Sequence, residues 1–133
     1  MVELHGWLTI EATYLDEDKH PEINEEQIYS DALKAAAQCS LSEKYVSLNC
    51  INGIYFLNAA CCPNHYAAEV DEIIALFKKI SSVASGSYGV IYLLNDEDPE
   101  HWNEFQVIVF KRGRCEVVGD NLLSPCIPVL EDA

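Results

Sequence analysis

The tetrapeptide Ile51-Asn52-Gly53-Ile54 constrains the fold of this chain more than any other stretch. Asn-Gly between two apolar runs supplies the positive φ angles that a two-residue type I′ turn requires. Such a turn predicts a β-hairpin over residues 45–60 and fixes its register, because the residue numbers of every cross-strand pair must sum to 105. We assign three of these pairs to the core face: Val46 with Ala59, Leu48 with Leu57, and Cys50 with Tyr55.

A strand is predicted ahead of the hairpin, where apolar and polar residues alternate over residues 2–14. Gly6 falls on the apolar side of this strand, which indicates a bulge or the close approach of a neighbouring element. Trp7 falls on the polar side beside His5. Either an outer layer covers that side or Trp7 belongs to a contact surface, and we favour the covered arrangement.

Two amphipathic stretches predict helices that flank the hairpin. The first begins after Asn24, with Gln27 as the reciprocal member of a capping box, and its apolar stripe comprises Ile28, Ala32, Ala35, Ala36 and Cys39. The second is predicted to run from His65 to about residue 84 with Asn64 as its cap. Its buried stripe comprises Tyr66, Val70, Ile73, Ile74, Phe77 and Ile80.

Three further strands are predicted at residues 88–94, 105–110 and 115–118, with Arg112-Gly113 turning the last two into a hairpin. The resulting order, β-α-β-β-α-β-β-β, predicts an α+β fold with a ferredoxin-like core and a C-terminal extension of the sheet. Both helices then pack on one face of an antiparallel sheet. The tail, residues 122–132, contains two prolines and is predicted to lie extended on the fold. The length suits a single domain over residues 1–133.

Acidic residues concentrate in two connections. Residues 95–104, here called the acidic loop, hold five carboxylates around one tryptophan: Asp96, Glu97, Asp98, Glu100 and Glu104 around Trp102. Residues 15–26, the acidic connection, open with Asp16, Glu17 and Asp18. A loop between two firm strands is a usual place for recognition. The acidic loop is therefore interpreted as a contact for a basic partner, and a solvated acidic turn is the plain alternative.

The formal charge of −14 narrows the classes of partner. A field of this sign repels the phosphates of nucleic acids and the surfaces of anionic membranes. It favours a cationic partner and accelerates the encounter with one. A charge this large on a chain of 133 residues exceeds what solubility alone requires.

No pattern typical of a metal or cofactor site occurs. A calcium loop starting at Asp96 would need glycine in sixth position and glutamate in twelfth, where the chain has His101 and Val107. There is no Cys-x-x-Cys and no phosphate-binding lysine after the Gly-rich stretch at residues 85–89. The six cysteines lie mostly in apolar surroundings without an export signal, which predicts free, buried thiols in a cytoplasmic protein.

Two other classes of function remain open at this point. A small cysteine or histidine enzyme would need a deep pocket in which His65 or His101 converges with Cys62 or with a carboxylate. An intracellular adaptor would bind a basic peptide by adding it to the sheet, and would need an uncovered edge strand. The sequence contains no catalytic constellation that favours the enzyme.

Four stretches of the chain form one recognisable set. They are Met-Val-Glu-Leu-His-Gly-Trp-Leu-Thr-Ile at the start, Tyr-Gly-Val-Ile-Tyr-Leu followed by Asp-Glu-Asp-Pro-Glu, Asn-Glu-Phe-Gln-Val-Ile-Val-Phe-Lys-Arg-Gly, and Asp120 with Leu-Ser-Pro-Cys-Ile-Pro-Val-Leu-Glu-Asp. Together they resemble the immunity protein 7 family of bacterial polymorphic-toxin and contact-dependent growth inhibition systems. The resemblance covers nearly the whole chain, and its specificity lies in the combination.

The resemblance implies that the chain binds and neutralises a cognate toxin domain, often a nuclease, and it brings no catalytic residues. A nuclease must bind phosphate, so carboxylates could occupy its basic cleft or an adjacent surface. The expected contacts are Asp96, Glu97, Asp98, Glu100 and Trp102, with Asp16, Glu17 and Asp18 as a second choice. No cofactor, metal, nucleic acid or membrane is expected.

Overall fold

The computed structural model describes residues 1–39 and 44–127. Its elements follow the predicted order, which confirms an α+β fold. They are β1 (Val2–Ile10), α1 (Glu25–Ala37), β2 (Val46–Ile51), β3 (Ile54–Cys61), α2 (Ala68–Val83), β4 (Tyr88–Asn95), β5 (Gln106–Lys111) and β6 (Arg114–Gly119).

The six strands form one antiparallel sheet in the order β2-β3-β1-β4-β5-β6. Its first four positions have the strand order of the ferredoxin-like motif, and β5 and β6 extend the sheet beyond β4. The predicted core with a C-terminal extension is therefore confirmed. The strands β2 and β6 lie at the two edges.

The predicted hairpin register is confirmed. Val46 faces Ala59, Leu48 faces Leu57, and Cys50 faces Tyr55. The assignment to the core is correct for Val46, Ala59 and Leu57 and wrong for Leu48 and Cys50, which are exposed because β2 is an edge strand. Asn52 and Gly53 have φ angles of 53° and 79°, as a type I′ turn requires. A second turn of this kind joins β5 to β6, where Arg112 and Gly113 have φ angles of 51° and 71°.

Both helices cover one face of the sheet and enclose the main core with β1 at its centre. Its fully buried large side chains come from β1, β3, β4, β5 and α2, and they include Leu4, Leu8, Ile10, Leu57, Ile73, Phe77, Ile80, Ile91 and Phe110. The close approach expected at Gly6 is observed. A Cβ atom there would lie 2.9 Å from Ile91 Cγ1 and 3.1 Å from Phe77 Cζ.

The helix starts differ in part from the prediction. Asn24 caps α1, since its side chain accepts a hydrogen bond from the Gln27 N–H at 3.1 Å, but the Gln27 side chain donates to Asp31 instead of closing a capping box. The helix α2 begins at Ala68 without a side-chain cap, so the predicted start at His65 and cap at Asn64 are wrong. Tyr66, ahead of this helix, is exposed and donates to Asp71 at 2.6 Å.

The face opposite the helices is largely open, which corrects the expectation for Trp7. Trp7 is 45% exposed and packs edge-on against Tyr88, itself 50% exposed. The prediction of a covering layer fails at Trp7 because the described part of the tail, which ends at Ile127, packs at one end of this face, where Cys126 contacts Leu94, Phe105 and Tyr92. Residues 128–133 of the tail lie outside the described residues.

The cysteines also differ from the prediction of buried thiols. All six are free, but Cys50, Cys62 and Cys115 are exposed, and only Cys61 and Cys126 are buried. Cys50 and Cys115 lie on the edge strands, where the sheet has no further neighbour to cover them. Over the described part of the chain, no helix combines the length and apolar character needed to span a bilayer.

Candidate functional site

The acidic loop leaves the end of β4, crosses one end of the sheet and enters β5. Its own side chains order its backbone: Asn95 Oδ1 accepts from the Glu97 N–H at 3.1 Å. Asp98 Oδ1 accepts from the N–H groups of Glu100 and His101 at 2.9 and 3.2 Å. Asn and Asp favour such turns because their short side chains reach backbone donors two or three residues ahead. Hydrogen bonds between neighbouring residues therefore set the backbone conformation of the acidic loop.

Two of its carboxylates are bound to cationic or titratable groups from elsewhere in the chain. Asp96 Oδ1 lies 2.6 Å from the Met1 ammonium, which is also 3.6 Å from Glu97 Oε1. The same Glu97 oxygen lies 2.5 Å from His65 Nδ1. The hydrogen bond with Asp96 raises the pKa of the Met1 ammonium. Asp96 and Glu97 thus tie the loop to the start of β1 and to the segment before α2.

A second pair lies within the loop. His101 Nδ1 is 2.6 Å from Glu104 Oε1, and this hydrogen bond raises the pKa of His101 against a smaller opposing effect of desolvation. Glu100 is 3.9 Å from the other ring nitrogen and remains 84% exposed. Trp102 is 54% exposed. Glu100 and Trp102 are consequently the side chains of the loop that are most available to a partner.

The tail is clamped against the acidic loop, a feature that the sequence analysis did not predict. Asn103 Nδ2 donates to the Ile127 carbonyl and Asn103 Oδ1 accepts from the Ile127 N–H, both at 2.8 Å. The Phe105 N–H donates to Ser124 Oγ at 2.8 Å, and Ser124 donates to Asp120 at 2.9 Å. Asp120 was the available signal, because aspartate favours turns in which its side chain accepts from backbone N–H groups two or three residues ahead.

The clamped tail adds apolar surface at this end of the sheet. Leu122 is 76% exposed, Leu123 43% and Ile127 48%. Asp120, by contrast, is buried and accepts hydrogen bonds from the N–H groups of Leu122 and Leu123. Desolvation alone would raise the pKa of Asp120, but these bonds and the Ser124 hydroxyl together hold that pKa below its usual range. These three hydrogen bonds order the start of the tail around the Asp120 carboxylate.

The acidic connection does not join this site. In the ladder between β1 and β4, Val2 faces Asn95 and Thr9 faces Tyr88. The acidic loop follows Asn95, whereas the acidic connection follows the far end of β1. A strand of nine residues spans about 30 Å. Asp16, Glu17 and Asp18 are all exposed, so they form a separate acidic surface at the opposite end of the sheet.

Of the residues that an enzyme would need, Cys62 and His65 do not converge in a pocket, whereas His101 meets carboxylates in one cavity. Cys62 is exposed, and His65 is bound to Glu97. A cavity of about 200 Å³ brings His101 together with carboxylates and polar groups, and it is lined by Tyr66, Leu93, Asn95, Asp98, His101, Glu104 and Gln106. Cys62 does not line it. In the ranges 1–39 and 44–127, no three His, Cys, Asp or Glu side chains form a group suited to a metal ion.

Similarity to known proteins is found with one protein family. The model of one protein family, described as Immunity protein 7, matches residues 1–132. No curated protein and no solved structure matches the chain.

Proposed function

The chain belongs to the immunity protein 7 family, and we propose that it neutralises a cationic nuclease toxin, an RNase in particular, through the acidic loop. As an immunity protein it acts by binding a cognate toxin. The proposed contact consists of Glu100 and Trp102 at its centre, supported by Asp96, Glu97 and Asp98. The protein acts as a single domain without a cofactor and catalyses no reaction.

The physical basis is the complementarity of charge between the two partners. A nuclease binds the phosphates of its substrate, so its active cleft is basic. A chain with a formal charge of −14 is attracted to such a cleft over long distances, which accelerates association. Carboxylates of the acidic loop then occupy the positions of phosphates, either in the cleft or on the surface beside it.

The observation that carries the proposal is the presence of a largely exposed carboxylate and an exposed aromatic ring on one loop. Glu100 is 84% exposed and stands two residues before the 54% exposed Trp102. Tryptophan is enriched among the residues that dominate binding energy at interfaces, because it buries a large area with little loss of rotamer freedom. The loop presents both side chains on a backbone that is already ordered, which lowers the entropy lost on binding.

The other carboxylates have a different part in this proposal. Asp96, Glu97 and Asp98 are engaged with the Met1 ammonium, with His65 and with loop N–H groups. They hold Glu100 and Trp102 in place and add to the negative field. Asp16, Glu17 and Asp18 form the second acidic surface, which contributes to steering from the far end of the sheet.

We place this function in the cytoplasm of a bacterium that uses a polymorphic toxin or contact-dependent growth inhibition system. The producing cell would need the protein there to survive its own toxin or that of a sibling. The tight complex would form with the toxin domain encoded beside the immunity gene.

The test is a binding measurement with the toxin domain encoded by the neighbouring upstream gene, at low and at moderate salt. We expect a specific complex whose association rate falls as salt rises, because screening weakens steering. Glu100→Lys and Trp102→Ala should each weaken binding by at least about tenfold. The triple charge reversal at Asp96, Asp98 and Glu100 should abolish protection of cells.

The matched control is a charge reversal at Asp16 and Asp18, which changes the net charge without touching the acidic loop. It should slow association and leave dissociation unchanged, because distant charges act on encounter more than on the bound state. Full affinity and protection in the triple reversal would refute the acidic loop as the contact. A toxin without nuclease activity would refute the proposed target while leaving the immunity function intact.

A further inference from the structure

We infer that the free edge of β6 binds an extended, acidic segment of a second protein by adding it to the sheet as a seventh strand. This site is distinct from the acidic loop and does not depend on the proposed nuclease contact. It lies along the opposite edge from β2 and begins at the turn between β5 and β6. Three features of that edge carry the inference: its backbone groups, its exposed valines and its cations.

The first feature is a row of unpaired backbone groups. The two-residue turn at Arg112-Gly113 makes Lys111 and Arg114 a hydrogen-bonded pair. Along the ladder between β5 and β6, every second pair of facing residues is hydrogen-bonded in the same way. The Asp120 N–H, which donates to the Phe105 carbonyl at 3.2 Å, continues that alternation. The N–H and C=O groups of the intervening residues Cys115, Val117 and Gly119 therefore point away from β5. Among the described strands, none pairs with β6 on that side.

The second feature is an edge that lacks much of the usual protection. Natural edge strands are commonly blocked by charged side chains, especially lysine, by proline, by a bulge or by a covering segment. The strand β6 contains no lysine or proline and carries charge only at Arg114 and Glu116, and all six of its residues are exposed. Val117 is 60% exposed on the helix side of the sheet and Val118 is 41% exposed on the open side. A partner strand would find both backbone donors and apolar side chains here.

The third feature is the charge at the start of this edge. Lys111, Arg112 and Arg114 are three of the eight Lys and Arg residues of the chain. They line a groove of about 490 Å³ together with Val109, Cys115 and Glu116. Across residues 1–39 and 44–127, no ion pair joins a carboxylate to any of the three. The Arg112 guanidinium lies 5.8 Å from the centroid of the Tyr14 ring.

These features define the chemistry of the partner. Antiparallel addition places the C-terminal end of the incoming strand beside Arg114 and its middle opposite Val117. The matching segment is apolar or β-branched in the middle and acidic at its C-terminal end. A basic segment would be repelled by the three cations. A second copy of this chain is disfavoured, because each copy carries a charge of −14.

The test is a titration of the ¹⁵N-labelled full chain with two capped peptides, Thr-Val-Thr-Val-Thr-Glu-Asp-Glu and the same peptide ending in three lysines. With the acidic peptide we expect chemical-shift changes and new hydrogen-exchange protection at the amides of Cys115, Val117 and Gly119. The lysine peptide should bind at least about tenfold more weakly.

Two variants test the role of the β6 edge in peptide binding, and a third variant serves as the control. Arg114→Glu, on an exposed side chain, should weaken binding of the acidic peptide by about tenfold without affecting folding. Val117→Pro removes an outward N–H and should abolish binding, whereas Leu48→Pro on the uncharged edge β2 should leave it unchanged.

Several results would overturn the inference. They are equal binding of both peptides, shifts confined to β2 or to the acidic loop, no shifts at millimolar peptide, and protection of the β6 edge by self-association without peptide. Failure of the toxin-binding test described above would leave this inference standing, because the two measurements share neither ligand nor surface.

Discussion

The side-chain amide of Asn103 forms two hydrogen bonds with the backbone of Ile127. The Asn103 Nδ2 donates to the Ile127 carbonyl and Oδ1 accepts from the Ile127 N–H, each at 2.8 Å. The Cys126 N–H also donates to the Asn103 carbonyl at 2.8 Å. An amide can satisfy one donor and one acceptor at once. The acidic loop and residues 120–127 are therefore joined by hydrogen bonds at this end of the sheet.

We predict that Asn103→Ala releases the tail without unfolding the domain. Two hydrogen bonds are lost, each worth about 1 kcal/mol net. The amide of Ile127 should then exchange with solvent at least about tenfold faster, as measured by native-state hydrogen exchange. Asn49→Ala, an exposed asparagine on β2, should leave that rate unchanged. An unaltered rate in Asn103→Ala would show that the packing of Cys126 alone holds the tail.

We predict that Asp120→Asn destabilises the protein in a pH-dependent manner. Asp120 is buried, and its carboxylate accepts from two N–H groups and the Ser124 hydroxyl. Replacing the charged acceptor should cost about 2 kcal/mol at pH 7. Because the folded pKa lies below the unfolded value, this stabilisation is complete above about pH 4 and disappears as pH falls through the folded pKa.

Urea unfolding of both proteins between pH 3 and pH 7 provides the measurement. The difference in unfolding free energy should shrink toward acidic pH. Asp18→Asn, at an exposed position of the acidic connection, serves as the control and should change little at any pH. A difference that stays constant with pH would mean that the charge of Asp120 is not the stabilising feature.

We predict that Gly6→Ala is destabilising by about 1–3 kcal/mol, because a Cβ atom overpacks the core. The new atom would lie 2.9 Å from Ile91 Cγ1. Gly119→Ala, where no atom lies within 4 Å of the added Cβ, should change stability little. A double-mutant cycle with Ile91→Ala should give a combined cost below the sum of the single costs. If the two costs are additive, the strain does not arise from the contact between the new Cβ atom and Ile91.

We predict that Glu104→Gln lowers the pKa of His101 toward its ordinary value. The hydrogen bond to Glu104 is the largest cause of the raised pKa, followed by the opposing desolvation. Since the folded pKa is raised, the pair stabilises the loop fully below the unfolded pKa, about 6.5, and the effect is lost as pH rises through the folded value.

An NMR titration of the His101 ring in the parent and in the variant measures this shift directly. Glu100→Gln should produce a smaller decrease, because Glu100 acts on His101 only through charge at a longer distance. A larger effect of Glu100→Gln than of Glu104→Gln would contradict the observed pairing.

Local chemistry explains why much of the fold was predictable. The Asn52-Gly53 turn determines the pairing of β2 with β3 by steric rules that act over four residues. The alternation in β1 and the stripe in α2 identified the side chains that form the core, with Tyr66 as the exception. The prediction for Tyr66 was wrong because α2 begins at Ala68, after this residue. A helix start without a capping side chain leaves a weak signal in the sequence.

The candidate site was predictable only in part. Trp102 and Glu100 could be identified from the composition of one loop. The engagement of Glu97 by His65 and of Asp96 by Met1 could not, because these contacts span 32 and 95 residues. The open position of Trp7 was also missed, since alternation shows which side a residue faces but not what covers that side.

The sequence by itself determined the order of the elements, the hairpin register, the charge and the family resemblance, because each depends on neighbouring residues or on composition. The tertiary structure alone decided which carboxylates of the acidic loop are bound by groups from elsewhere in the chain. It placed the acidic connection and the acidic loop at opposite ends of the sheet and joined Asn103 to Ile127. Among the described strands, it also left β6 with β5 as its one neighbour. These relations arise from strand pairing between distant segments, and pairing is settled by packing of the whole core rather than by local preference.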